Sequence, residues 1–318
     1  MDVITLGESM LRLSPPGHER LSQSVTLEMK FGGTESNVAV ALSRIGFQTS
    51  WLSRLPDNPL GQRLVAELRS HGVDTSGVRI VAGERLGTYF IEFGLPPRPN
   101  RVVYDRANSA MSRMTVDDVA FDLIGKARWL HLSGITPALS EACRELTLAA
   151  AAFARSKNIP VSFDVNYRAL LWSPQQAGQT LEAILRQCDV IFSAHRDAQN
   201  LFGADANAEQ AVRDLRSRFG CRQMVLTIGE EGAIACTADT IAQQSAFNVS
   251  NPVDRIGAGD AFDAGYIAAQ LRGWSLDASL RFGNAMSALK MTIPGDLALV
   301  SLSEIEQMLA GSKLASVR

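Results

Sequence analysis

Residues that hold metals or staple small folds are scarce in this chain. Its 318 residues include four cysteines and four histidines. Cys143, Cys188, Cys221 and Cys236 lie far apart and form no CxxC pair, and His18, His71, His131 and His195 show no ligand spacing. These spacings argue against a structural zinc module and a disulfide scaffold, and lead to an expectation of buried free thiols in a reducing cytoplasm. Excess charge of one sign is lacking too: 31 Lys and Arg against 33 Asp and Glu leave a formal charge of −2. No basic run is present to attract nucleic acid or an anionic membrane. No apolar run approaches the length of a membrane span, and Met1–Gly7 lacks a charged leader followed by a long apolar stretch. The phosphate-loop pattern GxxxxGK[ST] is missing, and Gly257-x-Gly259 lacks the third glycine of a dinucleotide fingerprint. That argues against both a P-loop enzyme and a Rossmann dehydrogenase.

What is present is a large apolar content, 46% of the chain, enough for a substantial core. Short apolar runs alternate with segments of helical period. Strands are expected at Val3–Leu6, Thr49–Leu55, Trp129–Ser133, Val161–Asp164, Val190–Ser193 and Met224–Ile228. Helices are expected at Ser36–Ile45, Leu60–Leu68, Glu141–Ser156, Gln175–Arg186, Ala208–Phe219, Asp260–Arg272 and Ser275–Met291. The alternation argues for an α/β fold with a mainly parallel sheet covered on both faces, and ligands bind beyond the carboxyl ends of such strands. Two stretches break it. Residues 12–31 have no clear helix, and residues 86–107 carry two alternating runs around a Pro-rich Gly94–Asn100, a hairpin signature. Both are expected in a small sheet that projects from one domain spanning residues 1–318, placed to act as a lid.

The segment Val253-Asp254-Arg255-Ile256-Gly257-Ala258-Gly259-Asp260-Ala261-Phe262 carries the most chemistry. Small residues at a helix opening let backbone N–H groups approach an anion, and the helix end adds unpaired donors. Asp260 cannot hold a phosphate, because like charges repel, but it can accept the proton of a hydroxyl attacking phosphorus. Gly257, Ala258, Gly259 and Asp260 therefore read as an anion cradle with a general base. Earlier, Phe31-Gly32-Gly33-Thr34-Glu35-Ser36-Asn37 opens the first long helix. Its glycines bring backbone close to a ligand, and Asn37 can donate to and accept from a polyol.

An early Gly-Gly-x-x-x-Asn and a late Asp-x-x-Gly-Ala-Gly-Asp, each opening a helix, resemble the two signatures of the ribokinase-like carbohydrate kinases, the phosphofructokinase B family. The resemblance runs in order along nearly the whole chain and includes Thr227-Ile228-Gly229-Glu230-Glu231-Gly232. It implies a three-layer domain with a small β-sheet lid, with ATP and Mg²⁺ as cofactors. The open edges of the lid sheet can pair with another subunit, so a dimer through the lid is expected. Within the family, His131–Pro137, Phe163–Arg168, Leu171–Pro174 and Thr292–Asp296 resemble the 2-keto-3-deoxygluconate kinases. That implies that Gly33, Tyr89, Tyr104, Arg106, Arg168, Asp260 and Asp296 contact a sugar acid. It implies that Asn166, Arg168, Thr227, Gly229, Gly232, Gly257–Asp260 and Asn284 surround the nucleotide. The chemistry agrees, because a guanidinium at Arg168 or Arg106 matches a carboxylate in two-pronged fashion.

Three departures stand out. Arg255 occupies a place where the family has a small residue or Pro. Ala194-His195-Arg196-Asp197 stands where an Asn-x-x-Glu stretch organises Mg²⁺, so no metal ligand is assigned. Asp105 stands where related kinases show a second Tyr, which bears on substrate preference. The expected reaction is phosphorylation of 2-keto-3-deoxygluconate at its terminal hydroxyl. The alternatives are a kinase of the same family acting on fructose, a related ketose or a nucleoside, or a catalytically silent sugar binder. The two arginines argue against a neutral substrate. Asp260 beside the glycine turn argues against a pure binder, which needs no base.

Overall fold

Strands that must be buried on both faces are apolar at almost every position, and β1 (Val3–Leu6) is an example: none of its residues is more than 1% exposed. The computed structural model describes residues 1–311. After β1 come β2 (Met10–Ser14), β3 (Glu28–Gly32), β4 (Thr49–Pro56), β5 (Val78–Val81), β6 (Thr88–Glu92) and β7 (Arg101–Asp105). The second half contributes β8 (Trp129–Ser133), β9 (Val161–Asp164), β10 (Val190–Ala194), β11 (Gln223–Thr227), β12 (Ala233–Cys236) and β13 (Ile241–Gln244).

Nine strands form the main sheet, in the order β13-β12-β11-β10-β9-β8-β1-β4-β5. All neighbours from β11 to β5 are parallel, while β12 and β13 close one end antiparallel. Successive strand residues serve opposite faces. Ile191 and Met224 pack with the helices Glu141–Ser156, Pro174–Leu185 and Ala208–Phe219. Val190, Phe192 and Val225 pack with the helices Thr34–Arg44, Ala258–Leu271 and Leu276–Lys290. The last two helices lie very close, since a Cβ on Gly265 would sit 2.8 Å from Gly283 Cα. These are the three layers of the expected α/β fold.

The small sheet is β3-β2-β6-β7. The pairs β2–β3 and β6–β7 are antiparallel, and β2–β6 is parallel. It begins at Met10, two residues before the expected segment, because the strand continues the apolar run Met10-Leu11. The expected helices and main strands are present, with ends displaced by a residue or two where caps decide the boundary. Asn58, for example, accepts from the N–H groups of Leu60 and Gly61 and starts its helix at Pro59. Pattern reading missed β5, the β12–β13 pair and the helices His195–Phe202 and Leu302–Leu309, which are short or largely polar.

Candidate active site

The carboxyl ends of β9, β10 and β11 bring Asp164, Ala194 and Thr227 to one side of the main sheet, and the small sheet faces them across a cleft of about 460 Å³. Gly33, Asn37, Tyr89, Tyr104, Arg106, Asn166, Arg168, Thr227, Gly257, Gly259, Asp260 and Asp296 all line it. A second cleft of about 550 Å³ is lined by Thr227, Gly229, Gly232, Ala258, Gly259 and Asn284. The two share Thr227, Arg255 and Gly259. Every residue singled out from the sequence thus borders one cleft or the other. Asn166, read as a nucleotide residue, is on the first and not the second. Its backbone is left-handed at φ 38°, and its amide donates to Thr34 Oγ1 and to Asp164.

The helix Ala258–Leu271 opens at the joint between the clefts. Gly257 precedes it at φ 81°, a conformation that favours glycine, and a Cβ there would overlap the Asp296 carbonyl oxygen. A Cβ on Gly259 would meet nothing and would stand in the open wall of both clefts. Among the described residues, the N–H groups of Gly257, Gly259 and Asp260 have no acceptor in the protein. Unpaired N–H groups at a helix opening, on residues that line the first cleft, can serve an anion.

Asp260 is buried beside them and accepts a 2.6 Å bond from Asn37 Nδ2. Burial pushes its carboxyl up to about 6, with Asp296 adding to the rise and the Asn37 bond and Arg168 charge opposing it. One Asn37 N–H thus holds the Asp260 carboxylate, its Oδ1 accepts from Gly33 N at 3.3 Å, and the side chain still borders the first cleft.

The two expected arginines differ. Arg106 is buried and its Nε donates to Glu8 Oε2 at 2.9 Å, while its Nη2 pairs with the same oxygen. Only one edge of its guanidinium is left for a ligand. Arg168 is exposed and, among the described residues, pairs with nothing. Asp105 lies outside the cleft, bonded to Arg85 at 2.8 Å, because neighbouring strand residues face opposite ways. Its difference from related kinases therefore does not touch the cleft.

Several residues were missed. Arg12, only 2% exposed, pairs with Asp254 at 2.7 Å and Asp296 at 2.5 Å. Asp296 also accepts from Tyr89 Oη at 2.6 Å, and Asp254 accepts from the N–H groups of Ile256 and Gly295. Buried Lys290 donates to the Asp254 carbonyl at 2.9 Å. This network fixes the backbone leading into the cradle. An Arg between Leu11 and Leu13 in a buried strand was the one available signal, since charged residues are rarely buried without a partner. Asp164 and Asp263 form a second missed group on the cleft floor. Burial raises both carboxyls, Asp164 to about 7 with the Asp260 charge adding to the rise, and Asp263 further through Asp164 and Asp260, and Asp263 Oδ2 has no partner.

Comparison with known proteins decides the family. The model of the pfkB family carbohydrate kinases matches residues 1–300. The chain belongs to this family. As a pfkB carbohydrate kinase it resembles a 2-dehydro-3-deoxygalactonokinase of Haloferax volcanii, 42% identical over 98% of this chain and 97% of the relative. It also resembles a 2-dehydro-3-deoxygluconokinase of Bacillus subtilis, 31% identical over 93% of this chain and 91% of that one. The crystal structure of a 2-dehydro-3-deoxygluconokinase from Thermotoga maritima superposes with a TM-score of 0.93 at 34% identity, covering 98% of this chain and 100% of that one. The pfkB kinase fold therefore accounts for both sheets. No helix among the described residues is long and apolar enough to cross a membrane.

Proposed function

We propose that this kinase transfers the γ-phosphoryl group of ATP to the terminal hydroxyl of a six-carbon 2-keto-3-deoxy sugar acid. The reading is carried by one juxtaposition, the Asp260 carboxylate beside unpaired helix-opening N–H groups at the joint of two clefts. One cleft takes the sugar acid and the other the nucleotide, so that the reacting atoms meet at Gly259. Asp260 takes the hydroxyl proton as the oxygen attacks phosphorus. The bond from phosphorus to the bridging oxygen breaks, ADP leaves, and the cradle N–H groups stabilise charge on the phosphoryl oxygens. Arg168, exposed and unpaired, grips the sugar carboxylate, with the free edge of Arg106 nearby.

The cleft floor fits Mg²⁺ brought in with ATP, because Mg²⁺ is held by one or two carboxylates plus phosphates and keeps several waters. Asp164 and Asp263 are the side chains that would hold it, and the unpartnered Asp263 oxygen is available. The ion would screen the phosphate charge during transfer.

Support for 2-keto-3-deoxygluconate comes from the relatives named for it, and the 42% identical relative named for the galactonate epimer favours that substrate as a second reading. We also propose that the small sheet closes over the sugar and joins two chains into a dimer, since Val25, Leu27, Met29 and Val103 are exposed on it or beside it. Sedimentation tests the dimer. The function is tested by ADP release over a panel of both epimers, fructose, ribose and adenosine, with the product located by phosphorus NMR. Turnover confined to neutral sugars, or none at all, rejects the proposal.

A further inference from the structure

The nucleotide reading leaves a charge problem. ATP carries up to about four negative charges, and anion sites offset such charge with cations or oriented N–H groups. The second cleft is lined by Thr227, glycines, apolar residues, Asn248, Asn284, Ser287 and Glu230, with one cationic side chain, Arg255. Arg255 also lines the first cleft, so it stands on the shared wall with Thr227 and Gly259. It is exposed, and among the described residues its side chain makes no ion pair or hydrogen bond. The backbone beneath it is fixed. The preceding Asp254 is held by Arg12, Lys290 and the Gly295 N–H, and the Arg255 carbonyl accepts from Ala258 N at 3.2 Å. A free guanidinium on an anchored backbone, at the point where two clefts meet, is preorganised for an anion.

We propose that Arg255 is the side chain that grips the ATP phosphate chain, at its β–γ end, and that it stabilises charge on the leaving oxygen during transfer. The proposal rests on the reading of the second cleft as the nucleotide site. It does not depend on which sugar fills the first. Because Arg255 pairs with nothing, replacing it leaves the packing intact, and Arg255→Met and Arg255→Lys are expected to unfold at the wild-type temperature.

The test compares the full-length wild type with both variants by calorimetry, using a non-hydrolysable ATP analogue with Mg²⁺ and, separately, adenosine. Arg255→Met is expected to bind the analogue about 10- to 100-fold more weakly, as for one lost charged hydrogen-bonding group, and adenosine as the wild type does. Arg255→Lys, which keeps the charge and loses the planar fork, is expected in between. In turnover with a sugar acid, kcat/KM for ATP of the Met variant is expected to fall about 10²- to 10³-fold. Wild-type affinity for the analogue in Arg255→Met overturns the proposal. So does an equal loss for adenosine, which would make Arg255 part of the cleft's shape, or a failure of both variants to fold. A wild type that binds the analogue through Arg255 but phosphorylates no sugar acid rejects the substrate assignment and leaves this proposal standing. A wild type that binds no nucleotide rejects both.

Discussion

Gly257 and Gly259 stand two residues apart in the same turn, yet a methyl group on each should do opposite things. At Gly257 the backbone is left-handed at φ 81°, and a Cβ would overlap the Asp296 carbonyl oxygen. Left-handed backbone alone costs a residue with a Cβ about 1–2 kcal/mol, and the overlap adds to it, so Gly257→Ala should lose at least about 2 kcal/mol of stability. At Gly259 the backbone is helical and a Cβ meets nothing. Gly259→Ala should therefore keep its stability or gain up to about 1 kcal/mol from helix propensity. Its methyl would nonetheless stand in the wall shared by both clefts and hold phosphoryl oxygens away from the free N–H groups. Removing one such donor elsewhere costs about 10²- to 10³-fold in kcat, and a similar loss is expected here. Thermal unfolding and ADP release on the two variants separate the effects. A Gly259→Ala enzyme that turns over within a few-fold of wild type would refute the cradle, and one that unfolds early would refute the packing argument.

Asp260→Asn should lower turnover by about 10²- to 10⁴-fold while ATP still binds, and a variant near wild-type rate rules out Asp260 as the base. Because Asp260 must be ionised and burial has raised it to about 6, kcat should fall as pH drops through about 6; a rate flat from pH 5 to 8 contradicts the assignment. Arg168→Leu should weaken the sugar acid by about 1.5–3 kcal/mol, affect a neutral ketose much less, and move the acid limb of the pH profile upward, since Arg168 holds Asp260 down. Equal loss for both substrates would make Arg168 a phosphate or structural residue. Fully buried Glu35 is pushed from 4.5 to about 7 by burial, against bonds from Ser133 and Thr136. A raised folded value favours the protonated form, so stability is full below pH 4.5 and falls as pH rises through 7, by about 3 kcal/mol in all. Glu35→Gln should flatten that slope in denaturant titrations at pH 5 and pH 8, and an unchanged slope rejects Glu35 as its source.

The main sheet and the glycine turns were legible because their signals are local. A buried strand is written in four or five consecutive residues, and an anion cradle in one helix opening. Asn37 and Asp260 were each recognisable, but their bond spans 223 positions, and no spacing rule reaches that far. Arg12 finds its partners 242 and 284 residues away, because crossovers in a parallel sheet assemble one site from both ends of the chain. The β12–β13 pair was missed for the converse reason: each strand has only four residues and β13 ends in two glutamines, so the apolar signal is too short to stand out, although the turn leading into β12 carries Gly232 to the second cleft.

The arginines show what residue type alone leaves open. The sequence points to Arg106 and Arg168 for an anion, passes over Arg12, and marks Arg255 only as a departure from the family. Pairing separates them. Arg12 is closed between two carboxylates, and Arg106 gives one edge to Glu8. A guanidinium already satisfied by buried carboxylates gains little from a further anion, whereas an exposed one on a held backbone has its full hydrogen-bonding fork to offer. Arg168 on the first cleft and Arg255 on the joint are the two left in that condition, one for each anion of the proposed reaction. The sugar carboxylate and the phosphate chain can therefore be tested by separate substitutions that break no internal hydrogen bond, with the rate of Arg168→Leu compared above the pH range in which Asp260 titrates, because the Arg168 charge also lowers Asp260.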